Sequence, residues 1–134
     1  MTTERTNPAA RLGFQPGQVV QEIGYDEDVD QDLREGIESI TGQDLVDEDY
    51  EDVADTVLLW FREDDGDLTD ALVDAIGLLE EGGMIWLLTP KSGRDGYIEP
   101  SDVNEAAQTA GLASTKAISA AADWIGTRLI APKR

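Results

Sequence analysis

The sequence predicts an α/β protein with three layers: helices on both faces of a mostly parallel, Rossmann-like sheet that ends in an antiparallel C-terminal edge. Residues 56–61 (Thr-Val-Leu-Leu-Trp-Phe) and 84–88 (Met-Ile-Trp-Leu-Leu) are continuous apolar runs, as expected for strands buried on both faces. The segments around them carry apolar residues three and four apart, the period of an amphipathic helix. Two strand-like segments near the C-terminus are joined by a connection too short for a crossover, so they are expected to pair antiparallel.

Residues 1–11 are polar and are expected to form a flexible arm ahead of a single domain over residues 12–134. Gly13, Pro16 and Gly17 mark a loop that feeds a first strand over residues 18–24. Val29, Leu33, Ile37 and Ile40 then share one helical stripe, and Gly42 stands where a C-cap glycine belongs. The acidic stretch 44–52 surrounds Leu45 and Val46 and allows at most a short strand. After the central strand, Asp67 is placed to cap a second helix with Leu68, Leu72, Ile76 and Leu79 on one face, ended by Gly82-Gly83. A third helix is expected from an N-cap at Ser101 to a stop at Gly111, with Asp102 and Glu105 in its first turn. Residues 114–119 and 127–131 complete the sheet.

Charge is distributed very unevenly. From Glu22 to Asp70 the chain holds 20 acidic residues against only Arg34 and Arg62, whereas the rest carries 9 acids and 8 bases. The net charge of −19 repels nucleic acid and anionic lipid and attracts basic surfaces within about 8 Å at physiological salt. There is no Cys and no His, which removes disulfides, thiol nucleophiles, Cys/His zinc sites and the usual neutral-pH general base. No apolar run approaches the ~20 residues of a membrane span, and the first ten residues lack a signal peptide's apolar core, so a cytoplasmic location is expected. Asp28, Asp30 and Asp32 imitate the start of a calcium loop, but Leu33 and Ser39 stand where that loop needs Gly and a bidentate Glu, so no metal site is expected.

In a parallel sheet the functional rim lies beyond the carboxyl ends of the strands. That rim is expected to collect residues 25–30, 62–67 and 89–94, two acidic loops and one basic. Lys91 and Arg94 on the basic loop are the candidate anion-binding pair, or else pair with the acidic loop opposite. Trp60 and Trp86 are expected in the core, while Trp124 is a candidate for an exposed patch.

The run from Ala54 to Lys91, with Leu-Leu-Trp-Phe, a helix, Gly-Gly, Met-Ile-Trp-Leu-Leu and Thr-Pro-Lys, resembles the second half of class I methyltransferases that use S-adenosylmethionine. The resemblance extends through Ala110-Gly111-Leu112 to the end of the chain. Glu22, Gly24, Asp26 and Asp28 occupy the spacing of that family's E-x-G-x-G-x-G turn, with two of its glycines replaced by Asp. The whole chain, including Leu12-Gly-Phe-Gln-Pro-Gly-Gln-Val-Val-Gln-Glu-Ile-Gly-Tyr25, is similar to DUF3052, a family of small acidic actinobacterial proteins of unknown function. The resemblance implies a truncated methyltransferase-like fold and no assigned activity.

The combined expectation is a non-catalytic regulatory or adaptor protein. It would dock a basic protein partner through Asp26, Asp28, Asp30, Asp64, Asp65 and Asp67 by electrostatic steering. One alternative, carried by the methyltransferase resemblance, is an S-adenosylmethionine-binding remnant or small-molecule sensor using Glu22, Gly24, Tyr25, Asp47 and Glu48. The other is a nucleic-acid mimic, whose carboxylates would occupy the groove of a DNA- or RNA-binding protein.

Overall fold

The computed structural model describes residues 9–131. In chain order they form β1 (Val20–Ile23), α1 (Gln31–Thr41), β2 (Ala54–Trp60), α2 (Leu68–Ile76), β3 (Leu79–Pro90), α3 (Pro100–Ala110), β4 (Ala113–Ser119) and β5 (Trp124–Ile130). Short 3-10 turns lie at Ala10–Leu12 and Glu63–Asp65. The strands make one sheet in the order β1-β2-β3-β5-β4. Neighbours among β1, β2 and β3 pair parallel, and β5 enters antiparallel to both β3 and β4. Among the described residues no helix is long and apolar enough to cross a membrane.

The apolar runs serve two cores because a strand turns alternate side chains to opposite faces. Leu58, Trp60, Trp86 and Leu88 pack with Val29, Leu33 and Ile37 around α1. Val57, Leu59, Phe61, Ile85 and Leu87 pack with Leu72 and Ala75 of α2 and Val103, Ala106 and Ala107 of α3. These two cores give the three layers their cohesion, and burying each large aliphatic side chain contributes about 1.5–3 kcal/mol.

The ends of the helices follow local chemistry. Asp30 accepts from the Leu33 amide at the start of α1, and Gly42 closes it with φ 81°. Asp67 caps α2 by accepting from the Asp70 amide. The end of α2 differs from expectation: the helix stops at Ile76, and Leu79 begins β3, paired with Ala54. Gly82 and Gly83 lie within that strand, at the irregular pairing between Ala54 and Thr56. An apolar spacing that fits helix or strand equally had disguised this boundary. At α3 the cap is Glu99 and not Ser101, because Pro100 at the first helical position brings a fitting φ and has no amide to satisfy.

Residues 9–11, expected in the flexible arm, are part of the fold; residues 1–8 lie outside the described residues. Ala9, Leu12 and Phe14 are buried in the core on the α1 side, and the Leu12 carbonyl accepts the Trp86 indole N–H at 3.0 Å. Arg11 reaches the Ser119 carbonyl at 2.7 Å. The acidic stretch 44–52 forms no strand; a single parallel bridge, Gln21 to Val46, runs along the free edge of β1. β5 begins at Trp124, three residues earlier than expected, so residues 120–123 alone make the turn.

Candidate functional site

The carboxyl ends of β1, β2 and β3 do bring residues 25–30, 62–67 and 91–94 to one rim. What occupies that rim is the side chain of Arg62. Its Nη1 donates to the Gly24 carbonyl at 2.8 Å and the Trp60 carbonyl at 3.3 Å, and so bridges the last turns of two neighbouring strands. Asp28 takes Nε and Nη2, and Asp65 takes Nη1 at 3.2 Å. The guanidinium also lies 5.3 Å from the Trp124 ring centroid. Trp124, a candidate for an exposed patch, is buried edge-on against Trp60 and donates its indole N–H to the Asp28 carbonyl.

Burial lowers the pKa of Arg62, but its hydrogen bonds to Asp28 and Asp65 raise it further, so it stays charged. The Arg62 hydrogen bond in turn holds the Asp28 carboxyl below the usual carboxylate range. A carboxyl with a lowered folded-state pKa adds stability above its unfolded value, about 3.9, and loses it as the pH falls through the lowered value. The advantage of the native chain over Asp28→Asn is therefore expected at pH 7 and should shrink below about pH 4. Asp28 is 55% exposed, so the advantage is at most about 1 kcal/mol; urea melts of both chains at neutral and acid pH measure it.

A second cleft of about 450 Å³ gathers Glu22, Tyr25, Arg34, Asp47, Glu48 and Asp49, most of the residues expected to hold an adenosyl cofactor. The groups such a ligand would need are already engaged. Arg34 grips Glu22 through Nε at 2.7 Å and Nη2 at 2.8 Å, and the Trp60 indole N–H donates a third bond to the Glu22 carboxylate at 2.9 Å. That hydrogen bond to Glu22 raises the Arg34 pKa. The Gly24 amide is bound by Glu48 at 3.1 Å. Gly24 sits at φ 85°, and a Cβ there would lie 2.2 Å from the Trp60 carbonyl oxygen. Its close approach is thus made to the neighbouring strand and not to a ligand. Arg34 covers the Tyr25 ring at 4.8 Å. These residues do not fit the cofactor.

Of the six aspartates expected to face a partner, four have structural work within the chain. Asp30 and Asp67 cap helices, and Asp28 and Asp65 hold Arg62. The Asp26 carboxylate accepts from the amide of its neighbour Glu27, and its carbonyl accepts from the Val29 amide; Asp64 is exposed. Arg94 does not pair with the acidic loops; it binds Asp123 of the β4–β5 turn at 2.6 Å, and the Lys91 amide donates to the Asp123 carbonyl. The adjoining cleft of about 380 Å³ holds Asp28, Asp95 and Asp123 around that one guanidinium, which disfavours an anion. Among the described residues no group of acids is arranged to hold a metal ion. Arg34 and Arg62 were the signal available in the sequence: a lone cation within an acidic block becomes the counter-ion its neighbours fold around.

Comparison with known proteins agrees with this architecture. Solved structures with the same fold include an S-adenosylmethionine-dependent methyltransferase from Aquifex aeolicus, with 12% identity, a TM-score of 0.56 and coverage of 94% of this chain and 90% of that one. A ribosomal protein L11 methylase from Lactobacillus delbrueckii matches with 14% identity and a TM-score of 0.57, covering 95% and 75%. Likeness at this level shows the fold alone. Uncharacterised proteins of Mycobacterium bovis and Mycobacterium tuberculosis are 49% identical over 128 residues, which is 96% of this chain and 80% of theirs. The model of the protein family of unknown function DUF3052 matches residues 9–133, and the chain, with its methyltransferase-like fold, belongs to that family.

Proposed function

We propose that this protein is a non-catalytic adaptor that uses a methyltransferase-like scaffold to dock a basic protein partner on its acidic side. The observation that carries this reading is Arg62, whose guanidinium lies across the ends of β1 and β2 where a Rossmann-like sheet receives a ligand. The acids not consumed inside the chain supply the complementary half. Asp26, Asp32, Glu35, Asp64 and Asp70 are exposed on the loops and helices beside that rim, and their summed field favours fast encounter with a cationic surface.

Calorimetric titration with S-adenosylmethionine at physiological salt separates this reading from a cofactor-binding one. No saturable heat is expected up to about millimolar ligand, whereas binding near micromolar affinity would overturn the proposal. For the docking side, Asp26→Lys with Asp64→Lys is the suitable variant, since neither residue caps a helix or holds Arg62. It is expected to fold as the native chain does and to associate more slowly with a partner, with a weaker dependence on salt. Unchanged association kinetics would remove the acidic side from the interface.

A further inference from the structure

The far end of the sheet has the opposite character. β4 is the edge strand, pairs only with β5, and exposes every residue except the half-buried Ile118. Among the described residues no strand lies beyond it. An exposed edge of this kind is a template for another strand.

Two further observations say what would fit. An apolar pocket of about 120 Å³ opens between the strand pair and α3, with Ser114 and Ala117 of β4 facing Ile125 and Thr127 of β5 and Val103 of α3. It is too small for the ~300–1,000 Å³ of a typical small-molecule site but suits one aliphatic side chain. β4 and β5 also contain two cations, Lys116 and Arg128, and no acid. The two stand opposite each other in register, and neither forms an ion pair among the described residues. Acids of the rim reach the Trp124 end of β5, where the Asp28 carbonyl accepts the indole N–H, but Lys116 and Arg128 stand further along the strand pair. A second copy is disfavoured there, because antiparallel pairing of two β4 edges brings like charges together.

We propose that the outer edge of β4 binds an extended acidic segment of a partner protein as a sixth strand, with an aliphatic side chain of that segment seated in the pocket beside Ser114 and Ala117. Backbone hydrogen bonds would supply affinity, and the pocket and Lys116 would supply selection. This surface is separate from the acidic side, so either could fail without the other.

The test is selection of random dodecapeptides displayed on phage against the immobilised full chain at physiological salt. Bound peptides are then located by deuterium exchange. Selected peptides are expected to alternate aliphatic and acidic residues and to slow exchange in residues 113–119. They should bind about tenfold more weakly to Lys116→Glu and to Ala117→Trp. Both positions are exposed, so the variants are expected to fold, and denaturation curves check this. If one variant fails to fold, the other still decides. Three results would overturn the proposal: no enriched peptide, basic peptides that protect residues 22–70 instead, or binding unchanged in both folded variants. Sedimentation showing a dimer whose formation protects residues 113–119 would identify a second copy as the occupant and overturn it as well.

Discussion

Alanine in place of Gly24 is expected to destabilise the protein by about 3–5 kcal/mol. A left-handed φ costs a non-glycine residue about 1–3 kcal/mol, and a Cβ forced into packed atoms adds a similar amount. At φ 85° the new Cβ would stand 2.2 Å from the Trp60 carbonyl oxygen, inside any tolerable contact and against backbone that cannot swing away. Relief would require β1 and β2 to part at their carboxyl ends, which also pulls the Gly24 and Trp60 carbonyls off Arg62. Gly13→Ala is the control, since Gly13 has φ 83° but no atom within 4 Å of its missing Cβ. Its loss should be about 1 kcal/mol, the conformational part alone. Equal losses for the two variants in urea melts would show that the strand ends have slack and that the contact at Gly24 is not binding.

The second large effect is expected at Arg62. Methionine keeps most of the stem's packing but leaves the Gly24 and Trp60 carbonyls and the carboxylates of Asp28 and Asp65 without their shared donor. A loss of about 2–4 kcal/mol is expected, because the Arg62 side chain is 12% exposed and its acceptors include backbone carbonyls at two strand ends. Arg94→Met removes an ion pair whose partners are 55% and 50% exposed and should lose at most about 1 kcal/mol. A comparable loss for the two would mean that Arg62 is one more surface pair and that the rim is held by its apolar contacts.

Much of this fold was legible because residues 56–61 and 84–88 are apolar without interruption, a pattern that few environments other than the middle of a covered sheet accept. Asp67, Gly42 and Gly111 marked helix ends because each offers one specific local service, a side-chain acceptor or a left-handed backbone. The boundary between α2 and β3 was hidden, since Leu68, Leu72 and Ile76 carry a helical spacing that Leu79 prolongs while pairing as a strand with Ala54. The burial of Ala9, Leu12 and Phe14 was hidden too: so short a glycine-broken stretch shows no period, and its partner Trp86 is remote in sequence. At the site, the sequence placed the right loops on one rim but not the pairing among their charges. Which aspartate meets which arginine depends on side-chain reach between the loops after β1 and β2, and that is fixed only after the sheet has formed.

The three indole N–H bonds bear on the order in which the molecule assembles. Trp60, Trp86 and Trp124 tie Glu22, Leu12 and Asp28 across 38, 74 and 96 residues of chain. Every fully buried residue of the core on the α2 and α3 face lies between Val57 and Ala131, in units where strand and helix follow one another closely, and Ile23 of β1 packs against it. Contacts between near neighbours close smaller loops and lose less chain entropy, so that half is the natural nucleus for folding. The α1 face must wait for it, because Leu12, Phe14 and Leu33 find their partners on strands made later. During synthesis residues 9–41 emerge before the strands they pack against and are then among the last to settle, so their apolar and acidic stretch stays open to a nascent-chain chaperone until those strands follow.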